Sequence, residues 1–450
     1  MKNDFEREHW TTRLGFILAA AGSAVGLGNI WRFPFVAGEE GGAAFLLIYL
    51  VLIIIIGYPV MVVEMSIGKK TQRNPVGAFK SLAPNTPWWL VGALGVLTGF
   101  IILSYYSVVA GWSLHYVVES ITGLSPETEF GALFDEHITS VGLPIFWHAI
   151  FMGICIFIIG SGVVDGIQKA VKTLMPILFI LLVVLIIRAV TLEGASEGLA
   201  YYLSPEWGDV TIGTISSAIG QAFFTLSLGM GAILTYGSYL SPEDNINDNA
   251  AYVVGLDTLI AVMSGFAIFP AVFALGLSPA AGPGLTFITL PAVFAEMPLG
   301  SFFGFLFFVL LSIAALTSAI SLLEVVTAWI VDERNWERRK AAATLGIIIF
   351  LVGIPTVLGF SAWAGFTDVN PIGMDIFDTY DFLADTVFLP LGGLLTTIFA
   401  AHVWKARNVR EEANRIEGVI NVGGWFDLLI KYVIPVLLAI VWVLGIVEAL

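Results

Sequence analysis

A chain of 450 residues that is 58% hydrophobic and only 12% charged, with a mean hydropathy of +0.90, is composed for a lipid solvent, since soluble domains carry roughly 25% charge. Its net charge of −15 argues against nucleic acid as a partner, and its single cysteine, Cys155, excludes an internal disulfide and any multi-cysteine metal centre. The first apolar run lacks a small-residue cleavage pattern and reads as a retained span, not a secretory leader.

Spans of about 20 residues divide the chain into eleven helices, at 12–37, 41–68, 88–122, 144–161, 167–190, 210–239, 250–277, 300–331, 341–360, 380–404 and 425–448. The expected fold is therefore an all-α polytopic membrane protein forming one domain over residues 1–450. With the N-terminus in the cytoplasm and the C-terminus outside, every Lys and Arg except Arg32 and Arg188 falls on the inner side, as the positive-inside rule requires. The expected location is the cell (plasma or inner) membrane. Acids such as Glu39, Glu40, Glu127 and Asp135 fall outside, and one inner loop departs from the pattern with Glu243, Asp244 and Asp248.

The first span is interrupted. Gly22-Ser-Ala-Val-Gly-Leu-Gly-Asn-Ile-Trp-Arg-Phe-Pro34 packs three glycines, an asparagine, an arginine and a proline into one membrane thickness. Each weakens a helix, and unpaired backbone in lipid costs several kcal/mol per group, so such a break is tolerated only around a protein-enclosed site. The sixth span carries a second break, Ser227-Leu-Gly-Met-Gly231, preceded by Gln221-Ala-Phe-Phe-Thr225. Five helices separate the two, and an odd-numbered repeat puts its copies in opposite orientations. This predicts a five-plus-five inverted repeat, 12–190 and 210–404, with the eleventh helix at 425–448 outside it. Paired broken helices in matching positions point to a binding site at the membrane midplane.

In the seventh span, Asp257 is an acid in an apolar helix and a functional candidate by its cost alone. In the eighth, Ala314, Thr317 and Ser318 share one helix face by their i, i+3, i+4 spacing; back-bonding of the hydroxyls to the preceding turn is the alternative reading. Enzymatic motifs have little support. Gly194-Ala-Ser-Glu-Gly198 has no strand before it, Gly26-Leu-Gly28 puts Trp31 at the third glycine position, and Gly68-Lys-Lys-Thr71 lacks the upstream glycine of a phosphate loop. The chain does not read as an enzyme.

Arg7-Glu-His-Trp10, Arg13-Leu-Gly15 and then Gly22 through Pro34 resemble the start of the neurotransmitter:sodium symporters, whose bacterial members carry amino acids. The resemblance implies that the carboxylate of an amino-acid substrate meets the amides near Leu27 and Gly28 and the hydroxyl of Tyr106. It places the substrate ammonium near the carbonyls of Ala24, Phe224 and Thr225 and the side chain of Ser227. Ile102, Phe224, Met230, Ser318 and Leu322 would fill the rest of the pocket. A first sodium would use the Ala24 carbonyl, Asn29, Thr225 and Asp257. A second would use the carbonyls of Gly22, Val25 and Ala314 with the hydroxyls of Thr317 and Ser318. Oxygen donors of this kind suit a hard cation.

By the same resemblance Arg32 and Asp381, with Gln221, form an outer gate, and Trp10 and Arg7 with Asp332 an inner one. Gly166 and Pro176 bracket a start of the fifth span that can unwind. Glu64 is read as a structural acid bonded to broken backbone, and Glu324 and Arg188 as residues that snorkel to an interface. Chloride-dependent members have a serine where this chain has Ala261, so a fixed charge at Asp257 is expected to replace chloride, with a proton as a candidate counter-ion. Most members have twelve spans, which leaves the oligomeric state open. Met230 stands where a leucine-carrying bacterial member has phenylalanine, and a flexible thioether accommodates large side chains. The implied function is sodium-coupled symport of neutral, hydrophobic L-amino acids, aromatic ones included, by alternating access. A sodium-dependent amino-acid sensor on the same scaffold is the rival. An ion channel would place a polar stripe along several spans, whereas here the polar groups converge on the midplane.

Overall fold

The computed structural model describes residues 8–280 and 284–449. A first pair of helices, α1 (Arg13–Ala24) and α2 (Gly28–Glu39), is bent by 51° at a three-residue break. Nine unbroken helices among the described residues are long and apolar enough to cross a membrane. They are α3 (Ala43–Thr71), α4 (Trp89–Thr122), α5 (Gly142–Gly160), α6 (Val163–Val190), α9 (Ile246–Ala274), α10 (Gly300–Arg334), α11 (Arg338–Gly359), α12 (Ile376–Val403) and α13 (Gly424–Ala449). Between α6 and α9 come two shorter pieces, α7 (Ile212–Thr225) and α8 (Ala232–Gly237). The protein is a multi-pass, all-helical membrane protein.

The helix starts differ from the sequence expectation where a cap intervenes. Asn245 accepts the amide of Asp248 at 2.8 Å and starts α9 at Ile246, before the expected 250. Asp375 accepts the amide of Asp378 at 2.7 Å and starts α12 at Ile376, before the expected 380. Such caps satisfy N–H groups that the first turn leaves without partners. Shorter helices, among them Pro75–Leu82, Phe130–Thr139, Ala195–Leu203 and Leu290–Glu296, lie between spans and fall below any membrane-length criterion.

Wide π turns recur along the chain, and proline explains five of them. Gly28–Arg32, Ile53–Gly57, Leu285–Thr289, Phe382–Phe388 and Leu429–Val433 are each followed at the second residue by a proline: Pro34, Pro59, Pro291, Pro390 and Pro435. A proline ring cannot donate to the carbonyl four residues back and collides with it, so the preceding turn opens. Two of these wide turns, in α2 and α12, carry Arg32 and Asp385, the ion pair described below.

Burial grades from the centre outwards. In α4 and α10, 72% of the membrane-length window is buried, against 28% in α6 and α13. The two central helices run side by side, with Ser113 and Ser312 sharing a 2.9 Å hydroxyl bond. On α6 and α13, Ile180, Ile187, Tyr432 and Val436 are exposed apolar residues, the surface a lipid-facing helix presents. Of the acids in the expected inner loop, Asp248 accepts the Ile420 amide at 2.9 Å and lies 3.7 Å from Arg13.

Candidate functional site

The two breaks face each other against α4 and α10, and together they line one small pocket. The first break gives it Ser23, Ala24, Gly26 and Gly28; α7 and the second break give Phe224, Ser227 and Met230. Ile102 and Tyr106 come from α4, Ser318 and Leu322 from α10. Nine of the expected substrate residues thus line one space. Leu27 and Thr225 do not line it; Leu27 bonds to Tyr106, which does, and Thr225 bonds to Asp257.

Local geometry explains the arrangement. Helix α1 ends because Val25 turns extended, at φ −73° and ψ 101°. The freed amide of Leu27 donates to the Tyr106 hydroxyl at 3.1 Å, and that of Gly26 to Asn29 Oδ1 at 3.0 Å. A Cβ on Gly26 would lie 2.2 Å from Ser318 Oγ and 2.8 Å from Tyr106 Oη, so glycine is what lets two hydroxyls converge on the break. At the second break the Ser227 hydroxyl donates to the Ser23 carbonyl at 2.9 Å, as does that of Ser318, also at 2.9 Å. Glu64 Oε1 accepts the amide of Gly229 at 2.7 Å, the structural role expected of this acid.

Asp257 is fully buried, as are Asn29 and Thr225. Asn29 Nδ2 donates to Asp257 Oδ1 at 2.8 Å and Thr225 Oγ1 donates to the same oxygen at 3.0 Å. The other carboxylate oxygen, Oδ2, is buried and meets no hydrogen-bond criterion among the described residues. A buried carboxylate with one free oxygen, beside a carboxamide and a hydroxyl, suits a hard monovalent cation as cargo. Of the second expected ion site, Thr317 Oγ1 lies within hydrogen-bond reach of three carbonyls, those of Val25 at 3.2 Å, Ala314 at 3.0 Å and Ile313 at 3.2 Å, and its single proton goes to one of them at a time. Gly22 packs against Thr317 and Met175 of α6. Ser318, the neighbour of Thr317 on α10, lines the cavity and donates to the Ser23 carbonyl.

Two charged residues pair otherwise than expected. Arg32 forms its ion pair with Asp385, not with the expected Asp381. Both acids belong to α12, and the wide turn at Phe382–Phe388 carries Asp385 to the guanidinium. Gln221 donates to the Gly28 carbonyl at 2.7 Å, and Arg32 lies 4.7 Å over the ring of Phe224. Glu324 does not snorkel: it is fully buried, paired with Arg338 and bonded to the Tyr239 hydroxyl at 2.5 Å. A packed partner charge replaces water there. Arg188 lies 5.6 Å over the ring of Phe303.

Of the expected inner gate, Trp10 is buried, and its indole N–H donates to the Tyr236 carbonyl at 3.1 Å. Asp332 accepts the amide of Asn74 at 2.8 Å; Arg7 lies outside the described residues. The segment before α1 also grips the wide first turn of α6. Glu8 accepts the Val163 amide at 2.6 Å, and Gln168 exchanges bonds with Thr11 at 3.0 and 2.6 Å. Gly166 lies in that wide turn and Pro176 in the helix beyond it.

Residues that sequence reasoning passed over are Ser23, Gly26, Ser264 and Asp385. Ser264 donates to the Asn29 carbonyl at 2.6 Å. Asp385 carried the same signal as Asp257, an acid within an apolar span, and could have been found by it.

The chain matches the sodium:neurotransmitter symporter family over residues 7–136 and 127–449. It is 41% identical over 439 residues to YhdH, an uncharacterized sodium-dependent transporter of Bacillus subtilis, covering 96% of each chain. It is 36% identical over 456 residues to an uncharacterized sodium-dependent transporter of Haemophilus influenzae, covering 98% of each. Among solved structures it is similar to MhsT in complex with L-phenylalanine, with 48% identity and a TM-score of 0.89 over 97% of this chain and 99% of that one.

Proposed function

The chain belongs to the sodium:neurotransmitter symporter family, and we propose that it moves neutral, hydrophobic L-amino acids, aromatic ones included, into the cell together with sodium by alternating access. The observation that carries this reading is the cavity at the meeting of the two helix breaks. Backbone amides and carbonyls there that bond to side chains instead of to a helix ladder suit a zwitterion, while Ile102, Phe224, Met230 and Leu322 suit an apolar side chain. The likeness to MhsT bound to L-phenylalanine supports an aromatic substrate.

In this reading the substrate carboxylate meets the amides of Leu27 and Gly28 and the hydroxyl of Tyr106. Its ammonium meets the carbonyls of Ala24, Phe224 and Thr225 with the Ser227 hydroxyl. One sodium is held by the Ala24 carbonyl, Asn29, Thr225 and Asp257, and a second by the carbonyls of Gly22, Val25 and Ala314 with Thr317 and Ser318. Each charge crossing 100 mV releases about 2.3 kcal/mol, and a tenfold sodium gradient about 1.4 more. Two ions therefore drive roughly 7 kcal/mol of accumulation, about five decades. The bent α1/α2 pair and the α7/α8 pair count as crossings one and six of eleven, arranged as two inverted five-helix repeats, 12–190 and 210–404, with α13 outside them. The N-terminus is cytoplasmic and the C-terminus extracytoplasmic.

Asp257 supplies a fixed negative charge beside the first ion, so chloride is not required. Uptake driven by sodium gluconate should match uptake driven by sodium chloride; loss of transport in gluconate removes this assignment. The decisive experiment is amino-acid uptake into proteoliposomes with and without an inward sodium gradient, using a panel from alanine to tryptophan. Concentrative, sodium-dependent uptake favouring large apolar side chains is expected. Saturable sodium-dependent binding without accumulation would make the protein a sensor.

A further inference from the structure

A second cluster of titratable side chains lies away from the cavity, where the short helix Phe130–Thr139 rests on the end of α4. His115 of α4 and His137 of the short helix lie face to face, with ring centroids 4.1 Å apart and planes within 7°. His137 is 3% exposed, and neither of its ring nitrogens makes a hydrogen bond among the described residues. Around it, α4 contributes the His115 ring and Glu119, which lies 3.5 Å from His115 Nε2 and serves that ring on its own helix. The Tyr116 ring stands edge-on to His115 at 5.8 Å. From α5 come Trp147, 6.3 Å from His115, and His148, which is turned to the Phe350 carbonyl at 3.1 Å. The turn Leu285–Thr289 and residues 341–359 of α11 hold no ionisable group, and Asp135 and Glu136 of the short helix are exposed. Burial and the adjacent His115 imidazole push the His137 ring down to about 3, so it sits there neutral. A proton on it would be a buried charge without a partner.

The same short helix grips its neighbours through Phe134. That ring stacks on Phe287 of the wide turn Leu285–Thr289 at 5.7 Å and 6°. Trp112 of α4 packs edge-on against both, at 5.4 and 5.7 Å. Phe287 also meets Trp31 of α2 at 6.5 Å, the residue before Arg32, whose guanidinium lies over the cavity ring Phe224. A continuous run of aromatic contacts thus joins the histidine stack to the cavity.

We infer that the His115–His137 stack is an acid-sensitive clasp: a proton taken by His137 unseats the helix Phe130–Thr139 and loosens the turn Leu285–Thr289 from Trp31. The consequence for substrate release rests on the proposed transport reading; the clasp itself does not. Seated, His137 stays neutral, whereas in water an imidazole protonates at about pH 6.5. By linkage the seated form is fully favoured above about pH 6.5 and loses ground below it, by a factor of about 30 at pH 5.0.

Hydrogen–deuterium exchange of the full-length purified protein, expressed as protection of residues 130–139 relative to the intrinsic rate at each pH, tests the clasp directly. Protection should fall at least tenfold from pH 7.5 to pH 5.0 in the parent. It should stay within twofold in His137→Phe, which keeps a flat ring and takes no proton. His137→Gln should be equally insensitive, and it reads the same point if the phenylalanine variant is not recovered folded. His115→Phe should keep the parent's dependence, because the titrating ring is untouched. Constant protection in the parent overturns the clasp, as does a dependence that His115→Phe removes and His137→Phe does not. In the same preparations radiolabelled L-phenylalanine should leave the sodium-loaded parent at least fivefold faster at pH 5.0 than at pH 7.5, an increase that His137→Phe should lack. Lost protection without faster release overturns the link to the cavity. A parent that binds no phenylalanine in sodium overturns the transport reading and leaves the exchange result standing.

Discussion

The two breaks in the membrane do the same topological job by different physics. The first is three residues long and has no left-handed residue: its amides and carbonyls are taken up by side chains of other helices, Tyr106, Asn29 and Thr317. The second runs from Leu226 to Gly231 and holds three left-handed residues, Ser227, Gly229 and Gly231, at φ 54°, 78° and 76°. It is pressed against the backbone of α12, at the Leu389 carbonyl and Gly393 amide, and the buried Glu64 carboxylate holds the Gly229 amide. One break is held by movable groups and the other by fixed ones. The first can exchange its partners for ligands, whereas the second sets the shape of the space they enter.

If that contrast holds, damage to the second break should cost the fold and damage to the first should cost the ligand. Gly229→Ala is the largest expected effect. It forces a side chain into a left-handed position and sets a Cβ 2.4 Å from a backbone oxygen that cannot swing away. Together these cost about 3 kcal/mol or more. Little monodisperse protein should elute after detergent extraction. The control is Gly220→Ala on α7, where nothing lies within 4 Å of the added Cβ; it should behave as the parent.

Gly26→Ala should instead leave the elution profile unchanged. Its clashes are with the ends of two side chains, Ser318 and Tyr106, which can rotate aside and take the binding geometry with them. A misplacement of this order costs roughly 100-fold, read as the Kd for phenylalanine by scintillation proximity. Loss of folded protein here, matching Gly229→Ala, would erase the distinction between the breaks.

Asp257→Asn tests the point where the two breaks meet, since Asn29 of the first and Thr225 at the edge of the second share one carboxylate oxygen. The shape is conserved and the charge removed. Half-saturation by sodium should rise about 30-fold, the size of about 2 kcal/mol in a charge-assisted contact, with thermal stability little changed. An unchanged sodium dependence would remove Asp257 from the ion site.

How much of this was legible in the sequence follows the same division. Breaks announce themselves by composition, because glycine, proline and polar residues inside an apolar run weaken the one backbone form that lipid enforces, the continuous helix. The cavity residues Ile102, Tyr106, Met230 and Leu322 come from family resemblance, since an apolar residue on a helix carries no mark of which neighbour it faces. Asp381 and Asp385 show the limit. Both are acids in the same span, and the choice between them depends on the wide turn that Pro390 imposes on α12, a geometric effect that residue spacing in an ordinary helix does not contain. The pairing of Glu324 is hidden for a related reason: its partner, Arg338, is distant in helix geometry but close across the link between α10 and α11.

The smallest effect is the sharpest test of the second break. Ser227 is the one left-handed residue there that is not glycine, a conformation that costs roughly 1–2 kcal/mol, and its hydroxyl returns a bond of about 1 kcal/mol to the Ser23 carbonyl. Ser227→Gly removes both terms and should shift the unfolding free energy by less than about 1 kcal/mol. Ser227→Ala removes only the bond, keeps the strain, and should be the less stable of the two in a thermal melt of the sodium-loaded protein. The order is informative because Ser227 ties the second break to the first. If alanine proved as stable as glycine, the backbone there would be unstrained, and the second break would be held by its side chains as the first one is.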